Sequence, residues 1–63
     1  MQLKLVEWRR ARGISQPEMA KNIGISMPTY VRWEKDPGKI TMAKASEIAK
    51  ILEVDMSDII FLP

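Results

Sequence analysis

One pentapeptide pattern occurs twice in this chain, Gly13-Ile14-Ser15-Gln16-Pro17 and Gly24-Ile25-Ser26-Met27-Pro28, eleven residues apart. No other feature restricts the backbone so closely. Glycine tolerates the left-handed conformation that commonly ends a helix. Serine is a favoured N-cap, because its hydroxyl accepts from a backbone N–H of the first turn. Proline in that turn loses only an N–H that had no partner. Each copy is therefore a stop, an apolar plug and a start. Together they demand a short helix over residues 16–23 and another beginning near Met27. In the first copy Glu18 completes a Ser-X-X-Glu capping box, its carboxylate expected to reach back to the Ser15 N–H. The second copy, Ser26-Met27-Pro28-Thr29, lacks the returning acid.

The rest of the chain reads as three more helices, five in all, without strand alternation. Residues 2–12 set Leu5, Trp8 and Arg12 on one helical face, with Gly13 as the stop. The helix from Met27 is expected to run to Lys35 and to end at the Asp36-Pro37-Gly38 turn. Thr41 then caps a fourth helix with the apolar stripe Met42, Ala45, Ile48, Ala49 and Leu52. Val54 packs beneath the next corner. Asp55-Met56-Ser57-Asp58 is a further cap with an acid at its third position, opening a fifth helix through Ile59, Ile60 and Phe61. Residues 1–63 are expected to form one domain with a thin core. A chain this short buries only about 60% of its unfolded surface and gains from a partner subunit.

Composition removes several classes of function. The chain holds no cysteine and no histidine, so disulfides, zinc binding and histidine-based acid–base chemistry are excluded. The serines are used as caps, and Glu18 and Asp58 belong to capping boxes. No acid–base pair is left for an enzyme, and no catalytic residue, metal ligand, cofactor or small-molecule substrate is assigned. The longest apolar run, Ile59-Ile60-Phe61-Leu62, is too short to span a membrane. Lys4, Glu7, Arg9 and Arg10 interrupt any signal-peptide core, so a cytoplasmic location is expected. The charge is unevenly spread. Residues 1–39 carry eight basic and four acidic groups, whereas residues 40–63 carry two and four. Such asymmetry suits a domain that turns one face toward a polyanion.

Two short helices joined by a tight glycine turn, with a cap directly after it, form a helix-turn-helix layout. Ala20 sits where steeply crossing helices need a small residue, and Gly24 where the turn needs positive φ. Met19, Ile23, Ile25, Tyr30 and Trp33 fall where the pair presents apolar groups to the rest of the domain. The stretches LVEWRRARGISQPEMAKNIGIS, TYVRWE and ASEIAKILEVDMSDII resemble the phage Cro and repressor-type helix-turn-helix family, also called XRE. Leu5, Trp8, Arg9, Gly13, Ile14, Ser15, Gln16, Ala20, Gly24, Ser26, Trp33 and Glu34 match its pattern, and the resemblance covers nearly the whole chain.

That resemblance implies an all-α, compact five-helix, lambda-repressor-like domain with its helix-turn-helix at helices two and three. It implies a sequence-specific regulator of transcription from a phage or mobile element, a repressor that occupies a double-stranded DNA operator as a homodimer. It also implies an ion pair between Arg9 and Glu34 that ties helix one to helix three. The chain departs from the family pattern in three places. Pro28 stands where a polar base reader is common, and Tyr30 replaces an Ile or Val. The stretch from Lys35 to Thr41 lacks the usual Glu-X-Gly turn and is about one residue longer. These departures leave the expected fold intact and bear on the target sequence.

In such a motif the second helix lies in the major groove. With Tyr30 and Trp33 on the core side, base contacts are expected from Met27, Pro28, Val31 and Arg32. The Arg32 fork suits O6 and N7 of guanine, while Met27, Pro28 and Val31 offer apolar contact to thymine methyl groups. Phosphate contacts fall to Ser15, Gln16, Thr29, Lys35 and Lys39, helped by free N–H groups where helix two starts. Trp8 and Trp33 share helical spacing with Leu5 and Tyr30, which makes them core rather than base-stacking platforms. Ile59 and Ile60 are expected to close the core, leaving Phe61 and Leu62 exposed as a twofold dimer interface. A rival reading uses the same fold as an antitoxin or adaptor, the helix-three face meeting a protein. An apolar interface of that kind lacks the steep salt dependence of DNA binding.

Overall fold

Gly13 and Gly24 both adopt positive φ, 69° and 82°, and the helices stop there. In this computed structural model, which describes residues 1–62, Gly13 follows α1 (Leu5–Ala11) and Gly24 closes α2 (Gln16–Ile23). The Gly24 N–H donates to the Ala20 carbonyl at 2.9 Å, satisfying a group the helix end leaves open. Ser15 Oγ accepts from the Glu18 N–H at 3.2 Å, and Ser26 Oγ from the Thr29 N–H at 3.4 Å. Both serines thus act as caps, one opening α2 and the other α3 (Met27–Lys35). Among the described residues the Glu18 carboxylate makes no bond back to Ser15, so that cap works in one direction only. The returning bond forms elsewhere: Glu7 accepts from the Lys4 N–H at 2.8 Å, and Asp58 from the Asp55 N–H at 3.3 Å.

A single 3-10 turn, Pro37–Lys39, follows α3, and Thr41 Oγ1 caps α4 (Met42–Leu52) by accepting from the Lys44 N–H at 3.2 Å. Met42 does not join the apolar stripe; it is 76% exposed. As the first residue of α4 its side chain leans back past the helix end, away from the core. Ala45, Ile48, Ala49 and Leu52 carry the buried face instead.

Among the described residues four α-helices form rather than five. After one 3-10 turn, Met56–Asp58, the chain becomes extended as a two-residue strand, Ile59–Ile60. It pairs in parallel with Leu3–Lys4, Leu3 opposite Ile59 and Lys4 opposite Ile60. We call the N-terminal strand β1 and the C-terminal one β2. Adjacent β-branched residues suit a pleated backbone better than a helix, and β1 supplies an edge whose groups need partners. For the same reason α1 begins at Leu5 rather than at residue 2.

The helices and β2 enclose one core of Leu5, Trp8, Met19, Ala20, Ile23, Tyr30, Ile48, Ala49, Leu52 and Ile59. Ile14 and Ile25, the plugs of the two pentapeptides, pack partly against it, as do Trp33 and Val54. Three long side chains tie distant carbonyls to this frame. Trp8 Nε1 donates to Asp58 O at 2.7 Å, Arg12 Nε to Leu52 O at 2.7 Å, and Lys44 Nζ to Ile23 O at 3.2 Å. Among the described residues no helix is long and apolar enough to cross a membrane.

Candidate nucleic-acid interface

Tyr30 is wholly buried, and that single residue sets the rotation of α3. At 3.6 residues per turn, Pro28, Arg32 and Lys35 lie opposite it, with Val31 beside them. Pro28, Arg32 and Lys35 are exposed, Met27 is 37% exposed, and Val31 and Thr29 are half-buried. Lys39 is exposed on the 3-10 turn just beyond the C-terminal end of α3. The structure therefore brings Pro28, Val31, Arg32 and Lys35 onto one outward strip, with Met27 at its N-terminal margin.

The start of α2 carries further residues expected to meet phosphate. Ser15 and Pro17 are exposed there, while Gln16 is half-buried. Its amide is engaged: Gln16 Nε2 donates to Glu34 Oε1 of α3 at 2.9 Å. Thr29 is engaged as well, its Oγ1 accepting from the Ser26 hydroxyl at 2.9 Å.

Beneath α3, Arg9 Nε stands 2.5 Å from Glu34 Oε2, and Arg9 Nη1 donates to the Ile14 carbonyl at 2.8 Å. The two side chains keep only 11% and 8% of their surface exposed. The hydrogen bond to Glu34 raises the Arg9 pKa against the opposing effect of burial. For Glu34, burial is the largest single influence and acts upward, yet the surrounding donors, Arg9 first, together hold the carboxyl below its ordinary value. The Tyr30 hydroxyl is buried nearby with no hydrogen-bond partner among the described residues. Burial is the largest influence and, with the adjacent Glu34 carboxylate acting the same way, holds its pKa well above the usual tyrosine range. All three groups thus keep one charge state across the physiological range.

Sequence reasoning missed two supporting contacts. The Gln16–Glu34 bond joins residues of different helices and has no local signature, whereas Arg12, already placed on the face of Leu5 and Trp8, reaches a carbonyl of α4 while its guanidinium lies 5.2 Å from the Trp8 ring centroid. At the C-terminal end, Phe61 is half-buried against the core, whereas Leu62 is 72% exposed.

A short α2, a left-handed glycine and an α3 with an open outer strip define a helix-turn-helix domain. The chain belongs to the helix-turn-helix family, in its phage Cro and repressor (XRE) branch; the family model matches residues 5–59. It is similar to the cryptic phage CTXphi transcriptional repressor RstR of Vibrio cholerae serotype O1, with 34% identity over 56 residues, 89% of this chain. The chain spans 50% of that relative's length. No solved structure matches it.

Proposed function

We propose that the chain is a sequence-specific double-stranded DNA-binding regulator of transcription, a phage-type repressor that acts by occupying operators and carries out no chemistry. The observation that carries this reading is the outward strip of α3, where Arg32 is exposed between Pro28 and Lys35. Family membership and the similarity to a phage repressor support it.

In this reading α3 enters the major groove, Arg32 takes O6 and N7 of a guanine, and Met27, Pro28 and Val31 meet apolar base edges. Ser15, Thr29, Lys35 and Lys39 face phosphates. The Gln16 side chain is held by Glu34, so Gln16 serves the phosphate through its backbone N–H at the start of α2. Residues 1–63 act as one domain around the single core, in the cytoplasm where the DNA is. Two copies joined through Leu62 and the open side of Phe61 present their α3 helices to half-sites about 10 base pairs apart.

Selection of bound duplexes from random DNA, followed by titration at several salt concentrations, tests the reading. Affinity is expected to fall by about 0.9 log unit per phosphate contact for each log unit of salt. Arg32→Ala is expected to cost about 1–3 kcal/mol of binding and to relax the preference at one base pair. Equal weakening on every sequence would make Arg32 a phosphate contact instead. Absence of salt-dependent duplex binding would remove the whole reading in favour of a protein-binding role. Sedimentation with and without the selected duplex tests the dimer, which a monomer in both cases would overturn.

A further inference from the structure

The polar side chains around the start of α3 are already bonded within the protein. The Ser26 hydroxyl donates to Thr29 Oγ1, and Gln16 donates its amide to Glu34, whose other oxygen accepts from Arg9. What α3 turns outward is Met27, Pro28 and Val31, together with the charged heads of Arg32 and Lys35. Proline and valine side chains have no hydrogen-bonding group, and a methionine thioether is only a weak acceptor. Three of these five side chains are therefore insensitive to the donors and acceptors of a base edge.

In the major groove, base pairs differ in their hydrogen-bonding groups and in one apolar feature, the C5 methyl of thymine. An apolar strip discriminates through that feature. Methylation of cytosine at C5 adds the same apolar projection, next to an amino donor where thymine has a carbonyl acceptor. A side chain that makes no hydrogen bond does not register that exchange. Resting on the proposed entry of α3 into the major groove, we infer that Met27, Pro28 and Val31 read the pyrimidine C5 methyl group itself. The ligand class is duplex DNA bearing C5-methyl pyrimidines, and 5-methylcytosine substitutes for thymine under the apolar strip. Lys35 and Lys39 supply charge complementarity to the phosphates and Arg32 fixes the register on its guanine, and all three are indifferent to the methyl.

The test uses the 63-residue chain and the duplex it selects from a random thymine-containing pool. Each thymine of the selected site is replaced singly by uracil, by cytosine paired with guanine, and by 5-methylcytosine paired with guanine. Removing one buried methyl is expected to weaken binding about fourfold, so uracil loses that factor at thymines beneath the strip, with the salt slope unchanged. At the same positions 5-methylcytosine is expected to bind about fourfold more tightly than cytosine. Val31→Ala, confirmed as folded by circular dichroism, shrinks the uracil penalty at one thymine and leaves the others; Pro28→Ala serves in the same way should Val31→Ala fail to fold. A uracil site bound as tightly as the thymine site overturns the inference while leaving DNA binding in place. So does 5-methylcytosine binding no better than cytosine, which would mean that thymine is read through its carbonyl. Failure to select any duplex with salt-dependent binding overturns the functional reading as well, so the two failures are distinct.

Discussion

Glu34 holds together parts of the chain that the sequence keeps apart. It accepts from Arg9 of α1 and from Gln16 of α2 while standing on α3. Removing one partner of a buried ion pair strands the other charge and costs about 3–5 kcal/mol. A domain of this length has a total stability of about 3–9 kcal/mol, so the pair decides whether it stays folded. Because the Glu34 carboxyl is held below its unfolded value near 4.5, its contribution is complete above that pH. It is lost as pH falls through the lowered folded value, while Arg9 remains charged throughout. Glu34→Gln is therefore expected to lower the melting midpoint strongly at pH 7. The gap to the parent chain should close as the buffer is taken well below pH 4.5. Thermal melts of both chains across that range check this, and a gap independent of pH would show that the Glu34 charge is not the stabilising element.

The helices are made by their ends more than by their interiors, since each is too short to persist alone. Two of those ends adopt the same left-handed backbone with opposite residue types: Gly24 at φ 82° after α2, and Glu53 at φ 61° after α4. A side chain at Gly24 would meet nothing within 4 Å, so only backbone strain opposes it. Gly24→Ala is expected to destabilise by about 1–2 kcal/mol, the penalty for a Cβ in the left-handed region. Glu53→Gly relieves that strain and is expected to stabilise by about 1 kcal/mol, raising the melting midpoint by about 4–8 °C. A lowered midpoint for Glu53→Gly would mean that the carboxylate contributes more than its backbone costs.

The molecule as a whole is closed by its two ends. β1 pairs with β2, Gln2 Nε2 donates to Ser57 O at 3.1 Å, and the Trp8 indole reaches Asp58 O. Ile59 enters the core from this junction and is 5% exposed. Truncation of a buried isoleucine costs about 2–5 kcal/mol, a large share of what the whole domain has. Ile59→Ala is expected to lose cooperative unfolding or to melt far below the parent, and Ile60→Ala, at a half-buried position, to melt between them. Urea titration followed by tryptophan fluorescence measures both. Equal effects would place the two isoleucines in the same environment.

Short-range chemistry accounts for what the residue order reveals. Gly-Ile-Ser-X-Pro, written twice, set the starts of α2 and α3 and the stop of α2 to the residue, because a left-handed glycine and a capping serine act within one turn of their own position. The outward strip of α3 followed equally from the spacing of Tyr30 and Trp33. The end of the chain was not legible in this way. Asp55-Met56-Ser57-Asp58 does begin a turn, but Ile59 and Ile60 leave it for a strand whose partner lies more than fifty residues earlier, and no local pattern records that pairing. The polar inventory of the candidate interface was hidden for the same reason. Gln16 looks free in the sequence and becomes occupied only when packing brings Glu34 within 2.9 Å. Helix caps are decided by neighbours along the chain. Strand partners and the remaining capacity of a side chain to bond are decided by neighbours in space, and those exist only once the core has closed.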